Sequence, residues 1–119
     1  MNDHSQTAAA VRERLELKDD ELLELLGTEV SAAAGGLERR TRRLLGESWF
    51  SEQRKAFQSS VCSNHLVRQL RRDHADIYTL ATAVADVLAA TFSVPAAATA
   101  ALLLVRFGLE KLCNELPGD

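Results

Sequence analysis

Apolar residues recur along this chain at spacings of three and four, the period that stacks side chains on one face of a helix. Leu22, Leu23, Leu26, Val30 and Ala33 keep that spacing after Asp19 and Asp20, whose carboxylates suit the positive end of a helix dipole. Before them, Gln6 to Leu17 predict a weaker helix, with Ala10, Val11, Leu15 and Leu17 apolar and Ser5 as its N-cap. Gly27 costs about 1 kcal/mol relative to alanine inside a helix. The second helix is nonetheless expected to run through it and to end at Gly35-Gly36.

Leu37 to Leu45 predict a short third helix, with Leu37, Thr41, Leu44 and Leu45 inward and Gly46 as its stop. Ser48 caps a fourth, Trp49 to Cys62, which lines up Trp49, Phe50, Gln53, Phe57 and Val61 on one side. Asn64 caps a fifth through Arg72, and Asp73, with Asp76 three positions on, opens a sixth that reaches about Phe92. Ser93-Val94-Pro95 breaks that run, because proline disfavours an α conformation at Val94 and suits a first helical turn. A seventh helix extends to about Cys113, and residues 1–5 and 114–119 are expected to fray.

Composition agrees with this helical pattern. Alanine and leucine, which lead the helix-propensity ranking, are abundant, and the chain has only two prolines, at 95 and 117. Its 119 residues support one domain and one core. The expected fold is all-α: a single domain over 1–119, folded as a compact bundle of six to seven helices with a buried C-terminal helical hairpin at 73–113.

The hairpin invites a membrane reading, since the nineteen residues Val87 to Val105 carry no charge and a spanning helix needs roughly 20. Ser-Val-Pro interrupts the run near its midpoint, and nine of the nineteen are alanine or threonine. Each half also continues into a charged, amphipathic pattern, so a buried hairpin in water is the stronger expectation.

Net charge is −3 and unevenly laid out: −5 over residues 1–36, +6 over 37–72 and −4 over 73–119. The middle third is dense in arginine, at Arg39, Arg40, Arg42, Arg43, Arg54, Arg68, Arg71 and Arg72, with Lys55. One reading is neutralisation, basic helices packed between acidic ones. The other is a surface for an acidic partner or for phosphate. No zinc finger, RNA-binding aromatic pair or convincing helix-turn-helix accompanies the arginines in the sequence.

Motifs for chemistry are weak. Cys62 and His65, with His74 and Cys113, make a poor zinc set, because no second tight ligand pair exists. The same residues as thiol nucleophile and base lack an oxyanion site. Asp19-Asp20-Glu21 with Glu24 lie at a helix start, where acids stabilise the dipole anyway. Two cysteines are too few for a disulfide framework, and without a basic-then-apolar leader, free thiols in the cytoplasm are expected, a single disulfide remaining open.

No catalytic, cofactor or metal site is therefore expected. The expected function is that of a non-enzymatic adaptor, regulator or assembly subunit, binding another protein or a second copy of itself through helix faces. The candidate partner-binding residues are Arg39, Arg40, Arg42, Arg43, Arg68, Arg71 and Arg72, together with Trp49, which serves either as core anchor or as exposed hot spot. Nucleic-acid binding through 37–72 and membrane activity of 73–113 are the alternatives. In size and helix number the chain resembles death-fold-like adaptor domains and bacterial effector-associated modules. That resemblance is one of architecture and implies no binding residue.

Overall fold

The computed structural model describes residues 3–31 and 36–114. Among them the chain is all-helical, with α1 (Asp3–Arg14), α2 (Asp19–Val30), α3 (Arg39–Glu52), α4 (Arg54–Val61), α5 (His65–Arg72), α6 (Ile77–Leu88), α7 (Val94–Phe107) and α8 (Leu109–Cys113). α2 ends at Val30, with Ser31 extended, before the expected end at Gly35-Gly36; Ala33, expected to face inward, and the tail 115–119, expected to fray, lie outside the described residues. No described helix is long and apolar enough to cross a membrane.

The most apolar segment becomes the centre of the fold. Residues 96–104 of α7 are all buried, surrounded by α1, α2 and α6. Alanine on this helix lets its neighbours approach closely, while Leu102 and Leu103 fill the remaining space. Outside this centre, α3 lies along α2, and α4 and α5 lie against α6. The radius of gyration is 13.7 Å, close to the value of about 13.5 Å for a compact chain of this length.

Helix starts follow local chemistry. Asn64 Oδ1 accepts from the Val67 N–H (3.0 Å), Asp76 Oδ1 from Thr79 (2.7 Å) and Ser93 Oγ from Ala96 (3.4 Å). The bond from Thr79 holds the Asp76 carboxyl below the usual carboxylate range. Asp73 does not open α6. It closes α5, and His74 takes φ +55° as the chain turns towards Asp76. α1 starts three residues before its expected position, which puts Ser5 inside the helix. Arg106 satisfies the turn beyond α1, donating to Leu15 O (2.7 Å) and Leu17 O (2.5 Å) and pairing with Asp19 (3.1 Å).

Other helix boundaries differ from the expected ones as well. The expected seventh helix is divided, because Gly108 adopts φ +104° between α7 and α8. The helices expected at 37–45 and 49–62 are instead broken at Gln53, and α3 runs straight through Gly46. Gly46 is needed for contact rather than for a stop. A Cβ there would sit 2.1 Å from Leu23 O on α2, and a Cβ on Gly27 would sit 2.0 Å from Arg42 O on α3. The two glycines face each other and let two backbones touch. That accounts for a glycine in the middle of each helix.

A polar network is buried beside α7. Arg14 donates to Thr99 Oγ1 through Nε (3.0 Å), to Glu29 Oε2 (3.0 Å) and to Ala10 O (2.8 Å), while the Thr99 hydroxyl lies 2.7 Å from Glu29 Oε1. It pins α1 and α2 to α7. Burial pushes the Glu29 carboxyl above the usual glutamate range, against the opposing effect of its bonds from Thr99 and Arg14. A raised folded-state pKa makes this group's contribution full below the unfolded value and lost as pH rises through the folded one. The stability of the native chain relative to Glu29→Gln should therefore fall as pH rises through and above the ordinary glutamate range, as read by urea denaturation. A difference that rises with pH contradicts this assignment.

The two cysteines are joined. Cys62, after α4, and Cys113, at the end of α8, form a disulfide with Cα atoms 5.5 Å apart. Free thiols were the expectation, and the pairing replaces it.

Candidate functional site

The expected interaction residues separate into two arginine clusters with different surroundings. The first lies on α3. Arg39 Nε bonds Glu24 at 3.2 Å, Arg43 pairs with Asp20 at 3.8 Å, and Arg42 donates to Leu37 O. Arg40 is exposed beside the same acids, in a shallow cleft that also holds Lys18 and Glu21. The glycine contact brings α3 against α2, so the acidic first turns of α2 meet the arginines of α3. Neutralisation, one of the two readings of the charge pattern, describes this pair of helices. Exposed ion pairs of this kind contribute at most about 1 kcal/mol each.

The second cluster lies on α5, and its charges have no such match. Among the described residues Arg68, Arg71 and Arg72 make no ion pair or hydrogen bond through their side chains. Only Val67 of α5 is fully buried, with Leu70 and Arg71 partly so. The helical period then places His65, Arg68, Gln69 and Arg72 outward, with Leu66 on one shoulder and Arg71 on the other. Leu66 is 54% exposed, a large apolar side chain on the flank away from Arg68 and Arg71. Asn64, the N-cap of α5, fixes where this helix begins.

Trp49 belongs to another assembly. It is half-buried, with its ring edge-on to Phe57 (centroids 6.0 Å apart) and Phe92 (5.2 Å). Phe57 is fully buried and also meets Phe50 at 5.4 Å. These rings bind the end of α3 to α4 and to the turn before α7, which is an anchoring role for Trp49.

His4, Asp86 and Thr7 form a chain with the outline of a catalytic relay. His4 Nδ1 lies 2.7 Å from Asp86 Oδ2, and the Thr7 hydroxyl bonds Asp86 Oδ1. Thr7 is wholly buried, so its oxygen is out of reach of a substrate. The chain fastens α1 to α6. The weak zinc set also changes, because both sulfurs are spent in the disulfide and no thiolate remains to ligate.

Sequence reasoning missed an apolar cleft between α4, α7 and α8, floored by Phe50, Phe57, Leu104 and Phe107. Its only local signal is Phe107, an exposed aromatic directly before Gly108. No protein-family model, curated protein or solved structure matches this chain.

Proposed function

We propose that the chain is a non-enzymatic protein-binding module whose contact surface is α5, with Arg68, Arg71 and Arg72 taking acidic groups of the partner and Leu66 entering an apolar recess on it. The observation that carries this reading is that the three arginines have no partner within the described chain while Leu66 on the same helix is 54% exposed. An exposed leucine on one flank of α5 and unpaired guanidinium groups on its outer face and other flank supply the apolar contact and the charged groups from which interfaces are built. The arginines of α3 are engaged by α2 and fall outside the surface, as does Trp49.

Duplex DNA is the second reading, favoured by one observation. α4 and α5 are joined by the three residues 62–64, and the second helix is the basic one, as in a helix-turn-helix. The acidic α2 and the net charge of −3 favour a protein partner instead.

The disulfide bears on location. The cytoplasmic placement rested on free thiols, and with Cys62 joined to Cys113 we place the folded protein in an oxidising compartment.

Affinity capture with the native chain, Arg68→Glu/Arg71→Glu/Arg72→Glu, Leu66→Asp and Arg39→Glu/Arg43→Glu tests the surface, with captured proteins quantified by mass spectrometry. The first two variants should lose the specific partner by tenfold or more, and the α3 variant should retain it. Retention by the α5 variants, or loss only in the α3 variant, contradicts the proposal. A salt titration against duplex DNA, read by anisotropy, should show no saturable binding at low salt; binding with a steep salt dependence supports the DNA reading instead.

A further inference from the structure

We propose that the cleft between α4, α7 and α8 is a binding site for an amphipathic monocarboxylate, with a medium-chain fatty acid as the simplest member of the class. The cleft has a volume of about 640 Å³, within the roughly 300–1,000 Å³ typical of small-molecule sites. Phe50, Phe57, Leu104, Phe107 and Leu112 make it apolar. Phe107 is 45% exposed there, with its ring 5.8 Å from that of Phe50. This is aromatic surface that the fold itself leaves wet and that an alkyl chain would cover.

Charge complementarity selects the headgroup. Arg54 on α4 and Lys111 on α8 line the cleft from different helices, and none of its described lining residues is acidic. Lys111 makes no ion pair among the described residues. The cleft between α2 and α3 is the contrast: there Asp20, Glu21 and Glu24 stand among the basic side chains. Lys111 at the edge of an apolar floor gives a carboxylate a preference over an alkylammonium ion and over a neutral alcohol.

The wall that carries Lys111 is held before any ligand arrives. α8 has five residues, and it is fastened to α4 by the Cys62–Cys113 disulfide and by Gln58 Nε2 donating to Leu112 O at 3.0 Å. A fixed wall reduces the ordering cost of binding. Lys111 also borders a groove with Leu70 and Arg71 of α5, but Phe50, Phe57 and Phe107 do not, and the titration is read without the capture experiment.

Titration of the isotope-labelled, oxidised chain with decanoate below its micelle concentration tests the site. Saturable amide shifts are expected at residues 50–57 and 104–114, with decanol at least tenfold weaker and decylamine without effect. Lys111→Glu should weaken decanoate at least tenfold. The residue is exposed, so the variant should keep the native melting curve. Phe107→Ala should weaken decanoate and decanol alike. Absence of saturation, shifts centred on the α2–α3 cleft, equal binding of decylamine, or undiminished binding by Lys111→Glu would each overturn the proposal.

Discussion

Replacing Cys62 and Cys113 together by serine should lower the unfolding free energy by about 4 kcal/mol. The bond closes a loop between residues 51 apart in sequence. The chain-entropy account assigns a loop of this length about 4 kcal/mol at 25 °C, within the common range of 2–4. Domains of this size have a total of about 5–15 kcal/mol, so the loss is a large share of it. It should be concentrated structurally, because α8 has little else to hold it. Leu109, Leu112 and Cys113 are buried, but the helix has five residues and starts at a glycine with φ +104°. Urea denaturation of the oxidised native chain and the double variant measures the difference, and a thiol assay on the unreduced native protein should find no free cysteine. A loss below about 1 kcal/mol means that the crosslink adds little to the fold.

Gly27→Ala should cost about 3 kcal/mol, the upper part of the usual range for overpacking. The sign matters more than the size. In a helix with open space around it, the same change would add about 1 kcal/mol of stability. Here the new methyl would stand 2.0 Å from Arg42 O and 2.8 Å from Arg42 C, and both atoms are backbone. No rotamer change relieves that, so α3 must move off α2 and carry Arg39 and Arg43 away from Glu24 and Asp20. Gly46→Ala meets Leu23 O at 2.1 Å and should behave alike. Gly36→Ala is the control, since nothing lies within 4 Å of the added carbon. Its stability should stay within about 0.5 kcal/mol of the native chain. Stabilisation by Gly27→Ala would show that α2 and α3 do not pack through their glycines.

These glycines also show where sequence reasoning reaches its limit. Local signals were legible: Asn64 caps the helix that follows it, because an N-cap concerns only the next three residues, and Ser93-Val94-Pro95 parts two helices. Gly46 followed by Ser48 has the local form of a stop and a cap, yet the helix continues. What decides the position is Leu23 on another helix, and a short stretch of sequence does not contain that. Gly108 reads as one more residue of an apolar helix until its backbone angle is known. Asp73 and Asp76 both suit an N-cap, and the turn at His74 selects the second.

The candidate surface was half legible for the same reason. Arg39 to Arg43 and Arg68 to Arg72 look alike in composition. Their difference lies in what stands opposite: Asp20 and Glu24 face the first group, whereas α6, against which α5 packs, has a mostly apolar and alanine-rich sequence. Charge runs disclosed that a basic third exists, but only the pairing of helices shows which part of it remains free. The disulfide joins two cysteines in no recognisable motif, and the apolar cleft depends on where α8 turns back.

In the proposed function α5, rather than α3, is the helix that meets the partner. Hydrogen exchange of the native chain, free and with the captured partner bound, tests this directly. The expected result is slowed exchange of the amides of 65–72 on binding, with those of 39–52 unchanged. Protection confined to 39–52, with 65–72 exchanging as in the free chain, would contradict it.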